Sequence, residues 1–267
     1  MKTTGSVMEQ TRSEAQGETR RIKKVVAVMS GKGGVGKSTV SALLAVSLAR
    51  IGNKVGILDA DITGPSIPKL FGLSAKPEVH ADGILPVRTQ TNIEVISINL
   101  LLSDDTAATI WRGPLISKAI VQFWNDVVWG ELDYLIIDLP PGTSDAALTT
   151  MQQIPVSAVV MVTTPQALAG LIVRKAMNMT ELLKIPVLGI VENMAFFPDP
   201  ASGKPLELFG PRRAKELADE FTVPLLAQLP IDPQIAVLCD AGKIEQYHSE
   251  AVSQLAAAVM ERLAAMP

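Results

Sequence analysis

The sequence predicts an α/β fold with a doubly wound, mostly parallel sheet flanked by helices. Three observations support this fold. Short apolar runs rich in Val and Ile recur along the chain, these runs lack the alternation of half-exposed strands, and helical stretches separate them. The predicted strands are residues 25–29, 55–58, 93–98, 134–137, 158–162 and 187–191. The predicted helices are residues 37–50, 115–128, 167–183 and 212–221. Ligands of such folds bind at the carboxyl ends of the strands.

The N-terminal 22 residues differ in composition from the rest of the chain. They are rich in Thr, Ser, Glu, Gln and Arg and contain almost no apolar residues, so they cannot bury enough surface to become ordered. We therefore predict a flexible polar tail over residues 1–22 and a single domain over residues 23–267. The basic cluster at positions 20, 21, 23 and 24 either contacts an acidic partner or is a solvated approach to the first strand, and the second interpretation is favoured.

The first predicted strand leads through a glycine-rich loop into the first predicted helix. The loop fits the phosphate-binding pattern G-x-x-x-x-G-K-[ST] in the strand–loop–helix context that this pattern requires. Glycines let backbone N–H groups converge on phosphates, and the start of the helix adds its positive dipole end. Lys37 is expected to contact the β- and γ-phosphates, and Ser38 is expected to bind Mg²⁺. The predicted nucleotide-binding residues of this segment are Gly31, Lys32, Gly33, Gly34, Val35, Gly36, Lys37, Ser38 and Thr39.

Three acidic residues follow predicted strands and are candidates for a magnesium site. Asp59 and Asp61 close the second strand, and Asp138 ends the run at residues 134–137. A carboxylate at a strand end beside a phosphate loop can hold the Mg²⁺ shell directly or through water. A single Asp in this position can instead cap the following helix. The residues by themselves leave both interpretations open.

Asn193, which follows the strand at residues 187–191, is a candidate for recognising the base. Its side-chain amide offers a donor and an acceptor, which suit N6 and N7 of adenine. An asparagine at such a position is otherwise an ordinary loop residue. Because the guanine-reading pattern Asn-Lys-x-Asp is absent, ATP is favoured over GTP.

The composition and charge of the chain indicate which partners and which cellular location to expect. The 267 residues carry a net charge of -3 without a long basic run, so we expect no nucleic-acid partner. No segment has the roughly 20 continuous apolar residues that are needed to span a bilayer. The last predicted helix, residues 250–263, has only Arg262 beside its apolar face, whereas a helix that binds a membrane surface usually has several basic residues there. We therefore expect no membrane partner. The single cysteine, Cys239, excludes an intramolecular disulfide and favours a reducing compartment. With no apolar secretory stretch near the N-terminus, we expect a cytoplasmic location.

The phosphate loop carries a second lysine, Lys32, and resembles the deviant loop of the superfamily of MinD, ParA and the nitrogenase iron protein. In that superfamily this lysine reaches across a nucleotide-sandwich dimer to the phosphates of the partner. The resemblance therefore implies a homodimer in which Lys32 acts in trans. It also implies that Asp59 positions the attacking water, that Asp61 belongs to the first switch and that Asp138 belongs to the magnesium site. Gly142 would let the second switch move with the γ-phosphate.

Further segments are similar to the Mrp family of ATP-binding proteins, also called ApbC-type iron–sulfur cluster carriers. The segments are residues 59–68 (DADITGPSIP), 111–114 (WRGP), 129–134 (WGELDY), 138–145 (DLPPGTSD), 163–166 (TTPQ) and 191–194 (VENM). The similarity extends over about residues 24–242, whereas the phosphate loop by itself indicates only the superfamily. In this family, the position of Asn193 implies contact with adenine.

One departure from the family concerns the iron–sulfur ligands. Many members carry Cys-x-x-Cys shortly after the Glu-Asn-Met segment, and the pairs of two subunits together hold a [4Fe–4S] cluster. Here Asp199 and Ser202 occupy the two cysteine positions by spacing, and neither is a good soft ligand. Cys239 is either a labile cluster ligand or a small buried apolar residue near a helix end, and the second interpretation is favoured.

The resemblance implies a magnesium-dependent, slowly hydrolysing ATPase that acts as a homodimer in iron–sulfur cluster assembly or transfer. Its partners would be iron–sulfur client or scaffold proteins. The alternative is an ATP-driven switch of MinD or ParA type that binds a protein partner without a metal cluster. A small-molecule kinase is a third interpretation, but the sequence offers no recognisable pocket for an acceptor substrate.

Overall fold

The structure is a computed structural model that describes residues 21–62, 64, 66–101 and 113–266. Its strands are β1 (Arg21–Ser30), β2 (Val55–Asp59), β3 (Val79–His80), β4 (Gly83–Ile84), β5 (Val87–Arg88), β6 (Glu94–Ser97), β7 (Glu131–Asp138), β8 (Ala158–Thr163), β9 (Val187–Glu192), β10 (Phe197–Pro198), β11 (Pro205–Leu206) and β12 (Leu225–Gln228). Its α-helices are α1 (Lys37–Arg50), α2 (Ile67–Leu70), α3 (Ile98–Leu101), α4 (Gly113–Asp126), α5 (Asp145–Gln153), α6 (Ala167–Leu182), α7 (Ala214–Glu220), α8 (Pro233–Asp240) and α9 (Glu250–Ala264).

Eight strands form the central sheet in the order β12-β9-β8-β1-β7-β2-β6-β5. Every pairing in this sheet is parallel except that of the edge strand β5 with β6. The phosphate loop leaves β1 near the middle of the sheet, between β7 and β8. Asp59 and Asp138 are register partners on the adjacent strands β2 and β7. The topology therefore places the predicted phosphate loop and carboxylates at one edge, formed by the carboxyl ends of the strands.

Helices cover both faces of the sheet, as the apolar character of its strands requires. One apolar cluster joins alternate residues of β1, such as Val26 and Val28, to α1 and α9. A second cluster joins the other residues of β1, such as Ala27 and Met29, to α4, α6 and α7. Successive strand residues point to opposite faces, so each central strand contributes to both clusters. Among the residues described, no helix is both long and apolar enough to cross a membrane.

The boundaries of β1 and α4 differ slightly from those predicted. β1 begins at Arg21, so Arg21 and Ile22, which the composition placed in the tail, pair with Glu131 and Leu132 of β7. The predicted helix at residues 115–128 is α4, which begins two residues earlier and ends at Asp126. Residues 1–20, which make up most of the predicted tail, lie outside the described residues, as do Trp111 and Arg112 of one family segment.

Candidate functional site

The glycine-rich loop connects the end of β1 to the first turn of α1, as the sequence predicts. Gly34 and Gly36 have φ angles of 77° and 78°, the left-handed region that glycine adopts without strain. A Cβ on Gly36 would lie 2.2 Å from Nδ2 of Asn193, so a side chain has no room at this position. Gly36 caps α1, and Lys37 and Ser38 begin that helix. Thr39 lies half-buried in the same turn.

The base of the loop rests on neighbouring elements. A Cβ on Gly31 would lie 2.8 Å from the backbone of Ile172 in α6, so the loop packs directly against that helix. The amide of Gly142 donates to the carbonyl of Ser30 at 2.9 Å, which links the predicted second switch to the start of the loop. The ammonium of Lys32 donates to Oε1 of Gln166 in its own chain. Lys32 therefore has a partner within its own chain.

Lys37 is the centre of a buried charge cluster beneath the loop. Its Nζ lies 2.7 Å from Oδ1 of Asp138 and 3.9 Å from Oδ2 of Asp61. The hydroxyl of Ser38 donates to Oδ2 of Asp138 at 2.5 Å. Lys37 is buried and Asp138 is fully buried. The structure thus brings together four of the residues that the sequence assigned to nucleotide and magnesium.

Asp59 lies next to this cluster and is also fully buried. Oδ2 of Asp59 accepts a hydrogen bond from the hydroxyl of Ser97 at 3.1 Å, and its Oδ1 accepts one from the amide of Asp61 at 3.2 Å. Burial and the nearby charge of Asp138 raise the pKa of Asp59 to about 8, although Lys37 and Ser97 act in the opposite direction. The surroundings of Asp59 therefore favour the neutral form of its carboxyl group in this state.

Asn193 contacts the phosphate loop directly. Its Nδ2 donates to the carbonyl of Val35 at 2.9 Å, and its backbone amide donates to the carbonyl of Thr163 at 2.8 Å. The side chain is buried. Within the described part of the chain, the second amide hydrogen and the carbonyl oxygen of Asn193 make no further hydrogen bond. The residue thus has a structural contact with the loop that the sequence did not predict.

Three polar residues at the site were missed by the sequence analysis. The hydroxyl of Ser41 donates to Oδ1 of Asp138 at 2.7 Å, Ser97 bonds Asp59, and Gln166 bonds Lys32. Only Ser41 carries a detectable signal, since it lies four residues after Lys37 and therefore on the same face of α1. The contacts of Ser97 and Gln166 join segments that are distant in sequence.

Comparison with known proteins assigns the family. A family model described as ParA: NUBPL iron-transfer P-loop NTPase matches residues 21–264. This chain belongs to that family. An iron–sulfur cluster carrier protein of Clostridium perfringens is 44% identical over 237 residues, 86% of this chain and 83% of the relative. A cytosolic Fe–S cluster assembly factor NUBP2 homolog of Trichoplax adhaerens is 46% identical over 250 residues, 91% of this chain and 94% of the relative.

Solved structures agree with this family assignment. A nucleotide-binding protein of Archaeoglobus fulgidus, solved in complex with ADP, is 49% identical, with a TM-score of 0.79 over 89% of this chain and 94% of that chain. The cell division ATPase MinD of Pyrococcus furiosus is 23% identical, with a TM-score of 0.65 over 90% of this chain and 99% of that chain, and it supports the fold. The predicted P-loop α/β fold and the predicted iron–sulfur carrier family are both confirmed.

Asp199 and Ser202, which spacing places at the positions of the family's cysteine pair, belong to one hydrogen-bonded turn. Oδ1 of Asp199 accepts from the amide of Ala201 at 2.9 Å, and its Oδ2 accepts from the hydroxyl of Ser202 at 2.5 Å. Cys239 is half-buried in α8, where burial and then the charge of Asp240 raise the pKa of its thiol. Across the described ranges, no three His, Cys, Asp or Glu side chains converge on a ready metal site.

Proposed function

We propose that this NUBPL-type NTPase binds and hydrolyses Mg·ATP as a homodimer that assembles or transfers iron–sulfur clusters. The observation that best supports nucleotide binding is the cluster of Lys37, Ser38 and Asp138 directly beneath a glycine-rich loop. In this cluster the ammonium group already contacts an anion. The Archaeoglobus fulgidus relative, which was solved in complex with ADP, supports nucleotide binding by this chain.

The residues present also fit a magnesium ion. Ser38 and Asp138 offer hydroxyl and carboxylate oxygens, which are the ligands that Mg²⁺ prefers, and Asp61 lies beside them. When bound, the ion neutralises charge on the phosphates. On nucleotide binding, Lys37 exchanges its contact with Asp138 for the β- and γ-phosphates. Ser38 and Asp138 would be the residues that hold a bound magnesium ion.

Asp59 is proposed to hold the attacking water through its ionised carboxylate. Replacing Asp59 by Asn is expected to lower ATP hydrolysis by at least about a hundredfold, the lower end of the effect of a general base. Because burial and the nearby charge of Asp138 raise the pKa of Asp59, this site disfavours a charge, so the neutral amide should be tolerated and Mg·ATP binding should persist. Steady-state hydrolysis and calorimetric binding measure the two effects. Hydrolysis at the wild-type rate would remove Asp59 from the mechanism.

Asn193 is proposed to read adenine while it also supports the loop. Asn193→Ala should reduce the preference for ATP over GTP, and it should weaken binding of tripolyphosphate, which has no base, roughly three- to tenfold because Val35 loses a hydrogen-bond donor. Asn53→Ala is the matched control, since its amide donates to the carbonyl of Leu48 at 3.0 Å away from the loop. If both properties stay unchanged, Asn193 is an ordinary loop residue.

The homodimer is proposed from the position of Lys32. Its ammonium group bonds Gln166 rather than the groups beneath its own loop, and the side chain is only partly buried. A lysine in this position is available to a second copy once it leaves Gln166. Its charge would then meet the phosphates held by the partner's loop, in the manner of an arginine finger supplied in trans.

The iron–sulfur part is proposed from the relatives that are named as cluster carriers and assembly factors. The cluster is cargo in this proposal. Because the cysteine pair is absent, the chain has one thiol per subunit, Cys239, and a dimer has two. A [4Fe–4S] cluster usually takes four thiolate ligands. Any cluster on this protein would therefore be labile and completed by external ligands.

The second candidate function is an ATP-driven switch that binds a protein partner without carrying metal. It is favoured by one observation, the hydrogen-bonded turn of Asp199 and Ser202 at the positions that spacing assigns to the cysteine pair. Both functions use the same nucleotide site, so they differ only in the cargo. A cytoplasmic location is proposed for either function, in keeping with the cytosolic assembly factor of Trichoplax adhaerens.

A further inference from the structure

Asp138 has three side-chain partners in the buried cluster, and they divide between its two oxygens. Oδ1 lies 2.7 Å from both Nζ of Lys37 and the hydroxyl of Ser41. Oδ2 accepts from the hydroxyl of Ser38 at 2.5 Å. Ser41 and Asp138 are both fully buried, so water does not compete for this bond. The function so far derived uses Lys37 and Ser38 and leaves Ser41 without a role.

The hydroxyl of Ser41 has two acceptors within reach. Oδ1 of Asp138 lies at 2.7 Å and the carbonyl of Lys37, one turn earlier in α1, lies at 3.1 Å. A hydroxyl carries one hydrogen, and a carboxylate is the stronger acceptor. The shorter distance agrees with this preference. Ser41 therefore donates its hydrogen to Asp138 and not to the carbonyl of Lys37.

Nucleotide binding removes the other two partners of Asp138. This step rests on the proposed function, in which Lys37 moves to the phosphates and Ser38 moves to the metal. Ser41 lies four residues beyond Lys37, about 6 Å further along the helix axis, and so remains on Asp138. In the nucleotide-bound state, Ser41 is then the side chain that still bonds Oδ1 of Asp138.

We propose that Ser41 is a positioning residue for the magnesium site. By bonding Oδ1 of Asp138, it would fix the orientation of the carboxylate and leave Oδ2 available to a bound ion. Groups that orient a metal ligand from behind change metal affinity by roughly 10- to 100-fold when they are removed. Ser41 acts only through Asp138 and does not touch the nucleotide. Loss of the Ser41 hydroxyl should therefore weaken the binding of Mg²⁺ and leave the affinity for nucleotide without metal unchanged.

The test compares Ser41→Ala with Ser47→Ala in the full chain. Ser47 is a buried serine nearly two turns further along α1 and has no hydrogen bond to Asp138 among the described residues, which makes it the matched control. ADP affinity is measured by calorimetry both in EDTA and in Mg²⁺, and the rate of ATP hydrolysis is measured across a Mg²⁺ titration. Ser41→Ala should keep its metal-free ADP affinity and need roughly tenfold more Mg²⁺ for half-maximal hydrolysis. Ser47→Ala should match the wild type in both measurements.

Two results would overturn the positioning role. One is a Mg²⁺ requirement of Ser41→Ala equal to that of the wild type. The other is an equal loss of ADP affinity with and without Mg²⁺, which would mean that Ser41 supports the loop or the fold. If Ser41→Ala does not fold, Ser41→Cys can replace it, because the thiol has a similar volume and is a weaker hydrogen-bond donor. Ser41→Cys should also need more Mg²⁺ for half-maximal hydrolysis than the wild type, but by a smaller factor. If the wild type itself shows no Mg²⁺-dependent hydrolysis, the proposed function fails, which is a different result.

Discussion

Replacing Lys37 by alanine is expected to abolish detectable ATP binding. The ammonium group is buried, lies 2.7 Å from Asp138 and is the positive charge available to the β- and γ-phosphates beneath the loop. Without it, the nucleotide would meet the carboxylates of Asp61 and Asp138. We expect a loss of affinity of at least about a hundredfold, equivalent to about 2.7 kcal/mol.

Calorimetry of Lys37→Ala against Lys32→Ala measures this effect. Both variants remove one lysine from the same loop, but Lys32 bonds Gln166 and should not be needed for binding. Removing one partner of a buried ion pair also costs stability, about 3–5 kcal/mol in other proteins, so thermal unfolding must show that the variant is folded. An unchanged ATP affinity in folded Lys37→Ala would refute the assignment of the phosphate site.

Replacing Lys32 by alanine is expected to leave ATP binding largely intact and to reduce hydrolysis. A charge supplied in trans to a phosphoryl transfer can be worth roughly a thousandfold or more in rate, although a lysine can deliver less than an arginine. Binding should survive because Lys32 bonds Gln166, whereas Lys37 is the lysine that lies against Asp138 at the end of the loop. The separate effects on binding and rate are measured by calorimetry and steady-state kinetics.

Mixed dimers decide whether Lys32 acts across the interface. Subunits with Lys32→Ala are combined with subunits made inactive by Asp59→Ala. If Lys32 acts in trans, one site of each mixed dimer has its own Asp59 and the partner's Lys32, and an equal mixture recovers about a quarter of wild-type activity. If Lys32 acts within its own subunit, both sites are defective. No recovery, with mixed dimers shown to form, would reject the trans role.

Much of the fold was predictable because its central strands are buried on both faces. Their Val- and Ile-rich runs are local signals, and all six predicted strands are present. β12 was missed because Leu225–Gln228 contains no β-branched residue and each of its residues is only half-buried. The end of β6 was also misplaced, since Ile98, predicted in the strand, begins α3. A buried apolar residue fits either element, so sequence periodicity does not separate them there.

The candidate site was predictable where its residues lie within a motif or at the end of a strand. The phosphate loop and the three aspartates have such local signals, and the parallel topology brings them together. The supporting contacts have no local signal. Ser41 is 97 positions from Asp138, and Lys32 is 134 positions from Gln166, so these pairs depend on the packing of α1 and α6 around β1 and β7. The hydrogen bond from Asn193 to Val35 likewise joins residues that are distant in sequence, so it has no local signal either.

The iron–sulfur part of the proposed function is tested most directly by anaerobic reconstitution with iron and sulfide. Wild type and Cys239→Ala are treated identically, desalted, and analysed by iron and sulfide counting and by absorption spectroscopy. Because the Asp199 turn has no thiolate and Cys239 is the one thiol of each subunit, we expect any cluster that binds to depend on Cys239, and therefore to be absent from Cys239→Ala and labile and oxygen-sensitive in the wild type. A cluster in neither protein would favour the metal-free switch. Equal, near-stoichiometric iron and sulfide in both proteins would contradict the account and point to oxygen ligands such as Asp199.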